Sequence, residues 1–241
     1  MDILPQLLVN ALITGSIYAL VAVGFSLTYG VLKILNFAHG HLMMTGAYLF
    51  YCFSVEYELA LPWAALCTAM SALVLALVTL FVFVLPFQRY STSLPLVTTL
   101  ALATILESVV SMVFGVNVKA LDSGSAAQSI ELGSVYITPL QIVIIISALV
   151  ILAACAYLLH STSFGRRVRA MAELQVGAQA LSIDVRRTMV VVFSLSVLLS
   201  VYAGIMVGYE TNLQPTMGHG YTMKALAAMI LGGLGNLWGT I

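Results

Sequence analysis

Lys33, Asn36, His39 and His41 are crowded into the stretch Tyr29–His41, between two strongly apolar runs. An amide, two imidazoles and an ammonium supply donors and acceptors for water or a small polar solute along an otherwise oily route. The His39-x-His41 spacing alone could hold a metal, but no Cys or carboxylate cluster accompanies it, so no metal site is expected. Gly30 and Gly40 permit backbone conformations that a helix does not hold. Non-helical backbone at membrane depth is tolerated only where it is buried in protein or lines a wet cavity. The alternative is a cytoplasmic turn in which Lys33 and the histidines are wetted.

A second broken stretch runs from Leu231 to Gly239 and holds Gly232, Gly233, Gly235 and Gly239. Each glycine costs a helix about 1 kcal/mol against Ala. They therefore serve a turn or a close helix contact. Gly235 with Gly239, like Gly204 with Gly208, also has the GxxxG spacing of plain helix packing. Paired broken segments in two halves of a chain point to a transport pathway. Glu107 lies inside an apolar run, where a charge costs ~3 kcal/mol on insertion scales and marks function by default. Solvation from the outer side is the competing reading. The candidate passage residues are Asn36, His39, Glu107, Gly232, Gly233 and Asn236.

The loop 161–187 concentrates Arg166, Arg167, Arg169, Arg186 and Arg187. Within it, Ala170–Leu181 carries an apolar stripe at Met171, Leu174, Ala178 and Leu181, one face of a short amphipathic helix. A basic loop that only set topology would not need that stripe, so a docking partner is expected. No G-x-x-x-x-G-K-[ST] phosphate loop is present, and no nucleophile, base and orienting group fall together. The chain is expected not to be an enzyme and to need no cofactor. If ATP powers it, the ATPase is another subunit.

These residues need elements to hold them, and composition says of what kind. Of 241 residues, 61% are apolar and 7% charged, with no net charge. A soluble domain carries about a quarter charged residues, so lipid is the solvent here. Runs of this length must satisfy their own backbone groups, which leaves helix as the form; the alternation of a barrel is not visible. The fold class expected is an all-α polytopic membrane protein, one domain over 1–241. About seven spans fall near 4–29, 40–55, 62–86, 94–115, 139–160, 188–209 and 222–241. The two glycine-rich broken or re-entrant segments suit an incomplete inverted repeat. Basic loops stay in the cytoplasm, which puts 161–187 and Arg89 inside and the N-terminus outside. Glu56, Glu58, Asp122, Glu131 and Glu210 then fall outside, with Lys119 the exception among them. The loop 116–138 is the one sizeable outer loop, either a solvated connector or a docking surface. Cys52, Cys67 and Cys155 sit in apolar runs and read as small hydrophobes. Asp2 and the long run Ile3–Tyr29 do not fit a signal peptide.

Four stretches carry a resemblance: Gly15–Leu20 with Leu27–Gly30; Ile34–Gly40; Gly165–Arg187; and Leu231–Asn236. Through them the chain resembles the shorter membrane permease subunit of the branched-chain amino-acid ABC importers, over essentially its whole length. Importers of urea and short amides are close relatives that these motifs do not separate. The resemblance implies a bacterial inner-membrane permease, paired with a second homologous permease, two cytoplasmic ATPases and a periplasmic solute-binding protein, and no nucleic acid. It implies a coupling helix that enters a groove on the ATPase and contains Arg169, Glu173, Ala178, Leu181 and Ile183. Three departures stand out. Ser182 occupies the place of a usual Gly, and Glu107 that of a frequent Gln. Family members also continue through at least one more span beyond the position of Ile241. A stand-alone channel or secondary transporter is the reading from another class.

Overall fold

The computed structural model describes residues 3–91, 93–121, 130–132 and 135–233. Ten helices and one small hairpin make up the described chain: α1 (Ile3–Leu32), α2 (His39–Tyr51), α3 (Leu61–Val78), α4 (Leu85–Gln88), α5 (Leu94–Phe114), β1 (Ile130–Leu132), β2 (Val135–Ile137), α6 (Pro139–Ser161), α7 (Ser163–Glu173), α8 (Gln175–Ala180), α9 (Val185–Thr211) and α10 (Met217–Gly232). Among the described residues, five segments are long and apolar enough to cross a bilayer: Ile3–Leu32, Leu61–Gln88, Leu94–Phe114, Pro139–Ser161 and Val185–Thr211. Of the about seven spans expected, these five are the long ones; α2 runs directly into a π-helical turn, Cys52–Glu56, so that helix covers the expected 40–55, and the expected span 222–241 extends into residues outside those described. At 1.5 Å per residue the 16 residues of α10 extend about 24 Å, short of a hydrocarbon core of about 30 Å.

The chain is not wholly helical either. β1 and β2 pair antiparallel, with Glu131 opposite Tyr136. The hairpin is tied to α1, because Tyr136 donates its backbone N–H to Gln6 Oε1 at 2.8 Å and accepts from Gln6 Nε2 at 3.1 Å. Just after the hairpin, Gln141 Nε2 donates to Glu210 Oε1 at 3.0 Å, near the end of α9. The start of α1, the hairpin and the end of α9 thus share one end of the molecule. Of the loop 116–138, Asp122, Ser123, Gly124, Ser125 and Gln128 lie outside the described residues.

α1 and α9 form the centre, and α2, α3, α6 and α10 pack around them. A polar seam fastens the central pair: Thr28 Oγ1 donates to Ser196 Oγ at 2.7 Å, and Ser196 Oγ donates to the Gly24 carbonyl at 2.6 Å. Both hydroxyls are buried, where an unmade hydrogen bond would cost ~1–3 kcal/mol. The GxxxG pair on α9 works as a packing device. A Cβ at Gly204 would lie 2.5 Å from the Met43 carbonyl, so α2 approaches α9 backbone to backbone.

The apolar helix Leu61–Gln88 passes through a π-helical segment, Thr79–Val84, just ahead of Pro86. Proline lacks the N–H and crowds the carbonyl four residues back, which widens the preceding turn. The Phe83 carbonyl is satisfied from outside the helix, by Thr98 Oγ1.

Candidate functional site

α1 ends where Lys33 adopts φ +55°, in the left-handed region. The glycine expected to break the chain does not: Gly30 is buried and helical. Residues 34–38 then run back along the bundle, and α2 starts at His39. The depth of that start is fixed by three contacts. His39 Nε2 lies 3.2 Å from the Val21 carbonyl, its ring meets Phe25 edge-on at 5.3 Å, and its carbonyl accepts from Ser200 Oγ at 3.3 Å. Ser200 is near the middle of α9, so α2 begins deep in the bundle and not at its end.

Asn36 organises the return. Its Oδ1 accepts from Ala38 N–H at 3.1 Å, and its carbonyl accepts from His39 N–H at 3.2 Å. Phe37 N–H donates to Thr99 Oγ1 of α5 at 3.2 Å. Asn36 Nδ2, His39 Nδ1 and His41 Nδ1 are buried without a hydrogen-bond partner among the described residues.

A second break of the same kind precedes α10. Asn212 takes φ +71° at the end of α9, and the chain reaches α10 within five residues. The N-terminal turns of α2 and α10 meet. Gly40 N–H donates to Thr222 Oγ1 at 3.0 Å, and a Cβ at Gly40 would lie 2.2 Å from the Gly218 carbonyl. Gly40 is there for that close approach, and Gly218 in turn lies against the His41 ring. Of the expected counterpart Leu231–Gly239, residues 234–239 lie outside the described residues; among the described residues the break of this geometry is 212–216, where Asn212 and Pro215 flag a helix end.

Glu107 joins this node. Its Oε2 lies 3.3 Å from His41 Nε2 across the α2–α5 contact; the imidazole is buried and the carboxylate side chain 33% exposed. His41 was singled out in the sequence but not as the partner of Glu107. His39 is turned instead toward α1 and α9, and the hydrogen bonds that Asn36 accepts stay within the turn before α2. Gly232 and Gly233 stand apart, at the far end of α10, where Gly233 has φ +94°. Asn236 lies outside the described residues.

At the other end, Lys33, Arg89 and Arg186 line one groove between the ends of α1, α4 and α9. Seven of the nine Lys and Arg residues gather there: Lys33, Arg89, Arg166, Arg167, Arg169, Arg186 and Arg187. The single amphipathic helix expected over Ala170–Leu181 is two. α7 stops at Glu173, Leu174 turns extended (φ −150°, ψ 105°), and α8 begins. The stripe divides with it. Met171 and Ala178 are buried against the chain's own core, whereas Leu174 and Leu181 are 63% and 73% exposed. Glu173 is exposed and Ile183 half-buried. Arg169 reaches back to the carbonyls of Leu159 and His160, the last turn of α6, where a cation complements the helix dipole. Ser182 holds φ +59°, the conformation its glycine counterpart adopts without strain.

Long apolar helices, two short helices that start inside the bundle, and charges gathered at one end define a multi-pass membrane permease. The chain belongs to the family of permease components of branched-chain amino acid transport systems, whose sequence profile matches residues 7–241. Members are permease subunits, not enzymes. The chain is 28% identical over 249 residues to the high-affinity branched-chain amino acid transport system permease protein LivH of Salmonella typhimurium, covering 98% of this chain and 81% of that one. It is 25% identical over 251 residues to the permease protein BraD of Pseudomonas aeruginosa, with the same coverage. A shorter similarity, 36% over 85 residues, links it to the ribose import permease protein RbsC of Escherichia coli, covering 35% of this chain and 26% of that one. No solved structure matches.

Proposed function

We propose that the chain is the permease subunit of an ATP-driven importer of branched-chain amino acids in a bacterial inner membrane. The observation that carries this reading is the meeting of α2 and α10 at Gly40 and Gly218, deep in the bundle, with Glu107 held beside them by His41. Half-helices that start at mid-depth are the form in which transporters present backbone and charge to a solute. Asn36, His39 and Glu107 border this node, and the orphaned nitrogens of Asn36, His39 and His41 suit a wet route. Gly232 and Gly233 belong to the inner exit of the same passage, and Asn236 is assigned to it from the sequence alone.

The basic end faces the cytoplasm by the positive-inside tendency, and the N-terminus lies outside. Leu174 and Leu181, with Glu173 and Arg169 near them, form the coupling surface for the ATPase. Ala178 and Ile183 tie that surface to the bundle. Two ATPases, a second homologous permease and a periplasmic solute-binding protein complete the assembly. Closure of the ATPases moves α7 and α8 and switches the passage between outward- and inward-open states, each favoured by its own contacts.

Affinity purification of the tagged chain in mild detergent, followed by mass spectrometry, tests this. The expected result is recovery of a second permease and two ATPases. A chain that purifies alone while still carrying solute in vesicles would instead identify a channel or secondary transporter.

A further inference from the structure

We propose that Lys224, framed by Tyr18 and Tyr221, is a binding station for the carboxylate of the transported solute. This rests on the importer reading above. Lys224 Nζ donates to Tyr18 Oη at 2.6 Å and stands 4.7 Å over the Tyr18 ring and 5.3 Å over the Tyr221 ring. The two rings meet edge to face at 5.7 Å. Tyr18 is midway along the 30-residue α1, about 22 Å from either end. The ammonium therefore sits near the bilayer centre. A lysine there usually snorkels to the interface, but this one is tied to a group at mid-depth.

The cage orients the charge without neutralising it. An ammonium has three donors, and one is used by Tyr18. Among the described residues no carboxylate lies within ion-pair distance of Lys224, and the side chain is exposed on the surface of the chain. An intramembrane cation with donors to spare marks a pathway or a partner. The surface beside it is uncrowded: Gly15, one turn from Tyr18 on α1, and Gly220, one turn from Lys224 on α10, meet open space where a Cβ would stand.

A solute carboxylate fits better than a carboxylate from a neighbouring subunit, because the complementary charge is at hand. α10 carries Lys224, and its Gly218 packs on the His41 ring that holds Glu107. Glu107 of α5 and Lys224 of α10 thus stand on elements that both pack on α2, one carboxylate and one ammonium, the complement of a zwitterion. Urea has no use for the cation.

The test uses the complete importer in proteoliposomes, with its binding protein outside, ATP on the ATPase side, and labelled leucine and urea as probes. Cys52, Cys67 and Cys155 are first replaced by Ala, and Lys224→Cys is then introduced. Leucine uptake should fall roughly 30-fold or more, as for removal of one member of a desolvated charge pair. Aminoethyl thiosulfonate restores an ammonium at the position and should restore uptake, while the neutral methyl reagent should not. Tyr18→Phe, which keeps the ring and removes the hydrogen bond, should give an intermediate loss. Unchanged uptake in Lys224→Cys, or equal rescue by the neutral reagent, would overturn the station and leave the importer reading standing. Loss of the second permease from the Lys224→Cys complex would overturn it in favour of an intersubunit ion pair. A parent complex that carries urea and not leucine would overturn the substrate reading and the station with it.

Discussion

His41 Nε2 lies 3.3 Å from Glu107 Oε2, joining the first turn of α2 to α5. The contact explains how a carboxylate is kept inside an apolar helix: a buried imidazole takes one oxygen, and the remainder is partly exposed. Glu107→Gln preserves an acceptor for His41 and removes the charge. Because the pair is partly open, stability should change by less than about 1 kcal/mol, while the KM for amino-acid uptake rises. Thermal unfolding in detergent and uptake kinetics check the two halves. A collapse in stability would make the pair a structural clasp.

Gly40→Ala should be among the most damaging conservative changes in the chain. Its Cβ would fall 2.2 Å from the Gly218 carbonyl and 2.8 Å from the Thr222 backbone nitrogen. Backbone cannot yield as a side-chain tip can, so overpacking should cost ~3 kcal/mol or more. Size-exclusion chromatography and thermal melting should show loss of the folded monomer; Gly15→Ala, which meets open space, is the control.

Ser182→Gly should stabilise the chain by about 1 kcal/mol, since a side chain at φ +59° carries the left-handed penalty that glycine avoids. A small rise in melting temperature checks this. No rise would mean that the side chain compensates through its surroundings.

The division of the α7–α8 stripe separates docking from folding. Leu174→Ser with Leu181→Ser should leave the melting temperature within a few degrees and abolish ATPase capture, because both side chains are exposed. Met171→Ala should cost ~2–5 kcal/mol in the same assay, because it empties a packed position. Equal losses of stability would deny Leu174 and Leu181 a docking role.

Much of the architecture is legible in the sequence, and the failures share a cause. The long helices follow from uninterrupted apolar runs, with ends within a few residues of those expected. α2 with its π-helical turn covers the helix expected at 40–55, whereas α10 starts ahead of the expected 222, where the contacts of Gly218 with α2 set its start. Gly30 looks like a breaker but is held helical by packing, while Lys33, an unremarkable cation, takes the left-handed turn. Asn36 and Glu107 announce themselves by polarity. The pairing of Glu107 with His41, and of Gly40 with Gly218, depends on positions far apart in the chain and has no local signal. Lys224 drew no attention in the sequence because nothing there places Tyr18 opposite it. The stripe Met171–Leu181 shows the right period but not the break at Leu174, which needs only one extended residue.

The central claim is that this chain forms a passage whose opening is driven by ATPases bound at its basic end. The most direct measurement is leucine accumulation in proteoliposomes that hold the chain with its partner permease, ATPases and binding protein. Uptake should require ATP on the ATPase side and should vanish when Leu174 and Leu181 are both changed to Ser. Uptake that proceeds without ATP, or that is unaffected by those changes, would contradict the account.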